Sequence, residues 1–193
     1  MSTEYFRVDG VKKLTKQLDP ILLKKALNRS LNRTTTTAIA LAVREVTKTY
    51  NIKASTMKSL MRVKKSILDT LEVTITISSA PIPLYHFGAK TVRVRKKPKN
   101  SNKTRTYYGA SAKVKKTGKR KRYQHAFIAK VGNQPGVYVR TTSKRFPIRQ
   151  LKVISPTTMF KIHGKEKIEE TFNKVFVTRA MRDYKYFVEK AGK

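Results

Sequence analysis

Three histidines, His86, His125 and His163, are the residues of this chain best suited to relay a proton near neutral pH or to ligate a metal. They lie far apart, no HxxxH or HExxH spacing joins them, and the sequence has no cysteine to complete a thiolate site. Each is therefore read as a packing or hydrogen-bonding residue. A metal-dependent nuclease needs paired carboxylates, and the only pairs on offer are Asp69 with Glu72 and Glu166 with Glu169 and Glu170. Both sets fall at element boundaries, where helix capping and surface charge account for them. No GxxxxGK[ST], GxGxxG or nucleophile elbow is present, and Gly132, Gly136 and Gly164 read as turn residues. The inventory predicts no enzyme, no metal and no cofactor. A nuclease using Asp69 and Glu72 is kept as the enzymatic alternative.

The chemistry this chain carries in quantity is positive charge. Its 193 residues hold 45 lysines and arginines against 11 acids, a formal charge of +34, with a hydrophobic fraction of 39%. That fraction supports a modest core, so one α+β domain over residues 1–193 is expected. A body so charged repels itself and is expected to work beside a polyanion. The acids are also unevenly placed: six lie at or before Glu72, five at or after Glu166, and residues 73–165 contain none against 23 lysines and arginines. Nucleic acid is the leading partner, because phosphate neutralisation needs no particular motif. A membrane is not expected, since no run of eighteen apolar residues occurs. The opening residues MSTEYFRVDG lack a signal-peptide pattern, and the absence of cysteine suits the cytoplasm.

The charge peaks in KTVRVRKKPKNSNKTRTYYGASAKVKKTGKRKR, residues 90–122, with fifteen lysines and arginines and no acid. Val92 and Val94 alternate with Arg93 and Arg95; Tyr108, Ala110, Ala112 and Val114 alternate with Lys113 and Lys115. Period-two alternation predicts two strands, each with an apolar and a basic side. KPKNSNKT has the composition of a loop tip, and KKTGKRKR at 115–122 that of a flexible basic return. The expected nucleic-acid-binding residues are Arg93, Arg95, Lys96, Lys97, Lys103, Arg105, Lys113, Lys115, Lys116, Lys119, Arg120, Lys121 and Arg122. Tyr107, Tyr108 and Tyr123 are the few aromatics beside them, so salt-dependent backbone contact is expected rather than base readout.

The elements that must hold this hairpin are readable in outline. Asp19-Pro20 is an N-cap followed by proline at the first helical position. Leu23, Leu27, Leu31, Ala38, Val46 and Tyr50 then keep helical spacing, predicting a helix over 20–50 that a run of four threonines, Thr34–Thr37, could kink. A short helix is expected at 53–62. LEVTITIS, from Leu71, switches to period two, and further strands are expected at 91–96, 107–116, 125–131, 136–141 and 148–154. A last amphipathic helix over 164–190 follows from Ile168, Phe172, Phe176, Ala180 and Tyr184. The fold class is α+β: a long N-terminal helix, a central antiparallel sheet with a basic hairpin, and a C-terminal amphipathic helix.

PIPLYHFGAK (81–90), HAFIAKVGNQPGVYVR (125–140) and FPIRQLKVISPTTMF (146–160), in this order and after ALNRSLNRTTTTA (26–38), resemble the phage minor tail protein Z family, the tail completion protein of lambda-type tails. The resemblance covers about residues 20–165. It implies a structural virion protein at the head-proximal end of a tail, made in the host cytoplasm, that completes the tail and helps join it to the head. The partners it implies are the tail terminator, neck or connector proteins, and the end of the genomic DNA; the basic hairpin adds the expectation of a homo-oligomeric ring that grips this DNA without sequence specificity. Residues 90–122 are longer and more basic than the family pattern leads one to expect. A ribosomal-type or other structural RNA-binding protein is the alternative that shares this charge.

Overall fold

The computed structural model describes residues 2–4, 19–96, 99 and 102–192. In chain order the elements are β1 (Ser2–Glu4), α1 (Pro20–Thr49), α2 (Ala54–Ser59), β2 (Met61–Lys64), β3 (Thr74–Ile77), a 3₁₀ turn (Leu84–Phe87), β4 (Lys90–Lys96), β5 (Arg105–Ala112), β6 (Lys121–Gln124), β7 (Ala126–Val131), β8 (Gln134–Arg140), β9 (Ile148–Gln150), α3 (Pro156–His163) and α4 (Lys165–Ala191). The fold is α+β, as expected. The strands form three antiparallel three-stranded sheets, ordered β1-β3-β2, β4-β5-β6 and β7-β8-β9, rather than one central sheet. By their contacts the residues divide into two compact units: Met1–Val46 with Lys58–Ser79 and Thr157–Lys193, and Thr47–Met57 with Ala80–Pro156.

In the first unit α1 starts where Asp19 Oδ1 accepts the Ile21 and Leu22 amides at 2.8 and 3.2 Å. It passes straight through the threonine run as one helix. Thr35, Thr36 and Thr37 each donate their hydroxyl to the carbonyl four residues back, on Leu31, Asn32 and Arg33, so the β-branched side chains are satisfied within the helix. Leu23, Ala26, Leu27, Ala38, Ala42, Val43 and Val46 form its buried face. Ile168, Phe172, Phe176 and Ala180 form that of α4. Met61 and Val63 of β2 stand opposite Ile77 and Ile75 of β3, so apolar side chains meet in register. Two expectations change here. The second helix ends at Ser59 and gives way to β2, and Pro156–His163 is a helix of its own. Gly164 separates it from α4, where an added Cβ would lie 2.7 Å from the Phe160 ring.

In the second unit Leu84, Ala110, Ala112, Ala126 and Val137 form a small core, with Tyr85, Val114, Tyr123, Ile128 and Leu151 packed around it. Leu84 is delivered by the 3₁₀ turn, which Gly88 closes in the left-handed region at φ 63°. Asn51 pins this turn by donating its side-chain amide to the Phe87 carbonyl at 3.2 Å, while its backbone amide bonds Val114 O at 2.8 Å.

Candidate nucleic-acid interface

The basic segment is a hairpin, with β4 and β5 paired from Lys90↔Ser111 to Lys96↔Arg105. Its register revises the expected faces. Arg93 stands opposite Tyr108 and Arg95 opposite Thr106, so both arginines share a face with Tyr108, Ala110 and Ala112. Val92, opposite Gly109, has the parity of the other face. Lys113 and Lys115 lie beyond the end of β5, so the register that sets the face of Arg93 and Arg95 does not extend to them. Burial explains why the alternation misled. Ala110 is fully buried while Tyr108, two residues along the same face, is 62% exposed. The root of the hairpin is core and its outer half stands clear of it, where a face need not be apolar.

The return segment is also more ordered than its composition predicts. Lys116 N donates to Thr49 O at 2.8 Å, Lys115 bridges Tyr50, and Lys113 N bonds Phe87 O at 3.3 Å. Lys121–Gln124 is then a strand, β6, paired to β5 from Gly109↔Gln124 to Ala112↔Lys121. Gly109 is required at that seam, because an added Cβ would sit 2.7 Å from the Tyr123 carbonyl oxygen. The register places Lys121 and Tyr123 on the face of Arg93 and Arg95, and Arg122 on the opposite one. The Lys121 ammonium lies 5.5 Å from the Tyr123 ring centroid.

Most of the expected binding residues are available to solvent. Arg93, Arg95, Lys103, Lys115, Lys116, Lys119, Arg120, Lys121 and Arg122 are exposed, and Lys113 is half-buried. Lys96 and Arg105 are partners in the register at the outer end of the hairpin. Lys97 lies outside the described residues. Arg120 is set apart by its bonds: Nη1 donates to Gly88 O at 2.9 Å, Ser111 O at 3.1 Å and Ser111 Oγ at 3.3 Å. It ties the 3₁₀ turn to β5 and is a structural residue before it is a binding one.

Sequence reasoning missed a second group beside the hairpin. β7 and β8 pair with Phe127 opposite Tyr138, and Arg140 lies with its guanidinium 4.7 Å from the Phe127 ring centroid. Arg93 is placed likewise over Tyr108, at 5.6 Å. β4 and β5 adjoin β7, and an open cleft of about 580 Å³ lies among them, lined by Thr91, Tyr108, His125, Phe127, Arg140 and Thr142. His125, with φ 60°, is the joint at which the chain leaves β6 for β7. The acid-free span 73–165 was the signal available for this group; its convergence with the hairpin is tertiary.

The candidate carboxylates are otherwise engaged or exposed. Glu170 accepts from Lys167 and Lys174, which hold its carboxyl at about 2, well below the usual range. Asp69 and Glu72 are exposed. Partial desolvation lowers the His86 imidazole below its ordinary value. Among the described residues no group of three or more His, Asp or Glu is placed to hold a metal ion, and no helix is long and apolar enough to cross a membrane.

The prophage minor tail protein Z family matches residues 8–189, almost the whole chain. The chain belongs to that family. No curated protein and no solved structure matches it. As a minor tail protein Z, it is a phage tail component of the virion, and the hairpin, return strand and cleft are parts of a tail protein's surface.

Proposed function

We propose that this minor tail protein Z is a structural protein at the head-proximal end of the tail. There it completes the tail, helps join it to the head, and meets the end of the packaged DNA through its basic hairpin. The observation that carries the reading is the projecting outer half of β4–β5 with β6, which presents Arg93, Arg95, Lys121 and Arg122 to solvent within an acid-free span. Cations spread over both faces of a narrow hairpin suit a polyanion that is not read base by base. A ring of such subunits around the tail axis would concentrate positive potential on DNA in its lumen, and ring closure would relieve the exposure of a modest core. The tail terminator and a neck or connector protein are the protein partners this placement entails.

The test is duplex DNA binding by the purified chain, followed by fluorescence polarisation over a salt series. Tight binding with no sequence preference is expected, with log K falling steeply and linearly in log salt. Replacing Arg93, Arg95, Lys121 and Arg122 together by alanine is expected to lower the slope by about 0.9 for each phosphate no longer neutralised. Unchanged affinity and slope would sink the DNA-facing reading. Density for this chain at the distal tip in a cryo-EM map of the virion would sink the placement.

A further inference from the structure

We propose that the cleft between the β4–β5 and β7–β8 hairpins is a binding site for single-stranded nucleic acid, seating an unpaired base between aromatic walls. The inference rests on the reading that this surface meets nucleic acid and adds what kind it takes. Two aromatic rings line the cleft, Tyr108 and Phe127, and each has an arginine over it, Arg93 at 5.6 Å and Arg140 at 4.7 Å. Tyr108 is 62% exposed at the point where the hairpin leaves the core, so packing does not account for it. The hydroxyls of Thr91, Thr142 and Ser143 and the imidazole of His125 supply polar groups on the same walls.

This combination selects a ligand with a flat π-face and an attached anion. Aromatic rings offer a stacking surface to a base of any identity, and the Arg140 guanidinium, which lines the cleft, stands where a phosphate or a second stacked plane is favoured. Duplex DNA cannot use the walls, because its bases already stack on one another. The volume, about 580 Å³, is within the range of small-ligand clefts, roughly 300–1,000 Å³. The absence of any acid from residues 73 to 165 leaves nothing on either hairpin to repel an anion or to pair with a cationic ligand.

The experiment compares fluorescein-labelled oligo(dT) with a blunt duplex of the same length, bound to the full chain over a salt series. Tyr108→Ala and Phe127→Ala are each expected to weaken oligo(dT) binding roughly tenfold, since a stacked base contributes on the order of a tenfold or larger factor. Duplex affinity is expected to stay within about twofold. The loss should persist at high salt, because stacking releases no counterions, and Tyr108→Phe should restore binding. Equal losses on both probes, or none on either, would overturn the proposal. If wild-type protein binds the duplex and neither variant changes oligo(dT) binding, the cleft is wrong and the duplex reading stands. If wild type binds neither probe, the proposed function itself fails. Should Phe127→Ala not fold, exposed Tyr108 and its phenylalanine rescue decide the matter.

Discussion

Arg120 shows how a charged residue in a basic run can be structural. Its Nη1 serves three acceptors on Gly88 and Ser111, and Ser111 is a buried residue of β5. Removing the donor takes one bond from each of two backbone carbonyls, of exposed Gly88 and buried Ser111. Arg120→Ala is therefore expected to destabilise the protein by about 1–3 kcal/mol, measured by urea unfolding. Duplex affinity should fall by no more than the removal of one charge accounts for. Unchanged stability with strongly weakened binding would return Arg120 to the binding surface. Among the described residues the exposed Arg93, Arg95 and Lys121 show no comparable hydrogen bonds, and they are expected to behave the opposite way, changing affinity and salt slope with little effect on stability.

At the scale of elements, one buried acid of α4 is paired with arginines of α1. The Asp183 side chain is 4% exposed and has Arg33 at 3.3 Å, Arg182 at 3.8 Å and Arg29 at 3.9 Å, while Arg29 also covers Tyr186 at 4.7 Å. A carboxylate out of water is tolerated only while those cations are present. Replacing Arg29 and Arg33 together by alanine leaves the carboxylate only Arg182, at 3.8 Å, and a loss of up to about 3–5 kcal/mol is expected in chemical denaturation. Asp183→Asn in that double variant should recover part of the loss, because the neutral amide is cheaper to bury. No recovery would show that the arginines act by packing alone. The same two helices were the most legible elements in the sequence, with Asp19-Pro20 marking one start and apolar side chains at three- and four-residue spacing along both. The threonine run predicted a possible break that the helix does not show: Thr35, Thr36 and Thr37 bond the preceding turn, and Thr34 is buried with its hydroxyl unpaired among the described residues. Short elements were less legible. β2 holds only Met61–Lys64 and β6 only Lys121–Gln124, too few residues to show a period, and both exist because a neighbouring strand completes their bonds.

For the whole molecule the dominant quantity is the charge of +34. Self-repulsion opposes the compact state in dilute buffer and weakens as salt screens it, over a Debye length of about 10 Å at 0.1 M. Tm is expected to rise on moving from low to moderate salt. It is expected to rise again, at fixed low salt, when duplex DNA is added, since a ligand of the folded state stabilises it by mass action. Differential scanning fluorimetry reads both. A Tm that falls with salt would mean that attractive pairs, such as Lys174 with Glu170 at 2.7 Å, outweigh the repulsion.

Composition and spacing alone determined the class of fold, the two long helices, the hairpin in residues 90–122 and the polyanion as the expected partner. These depend on local periodicity and on summed charge, both of which are written along the chain. Tertiary structure decided which way the cations point. Period two identifies two faces of a strand but not how far the core reaches along it, and here the core covers Ala110 and stops short of Tyr108. It also decided that Lys121–Gln124 is a strand and that Arg120 is an anchor, and it brought Tyr108 to the same cleft as Phe127 and Arg140. Those outcomes rest on contacts between residues distant in sequence, made when strands pair and pack, and no local pattern encodes them.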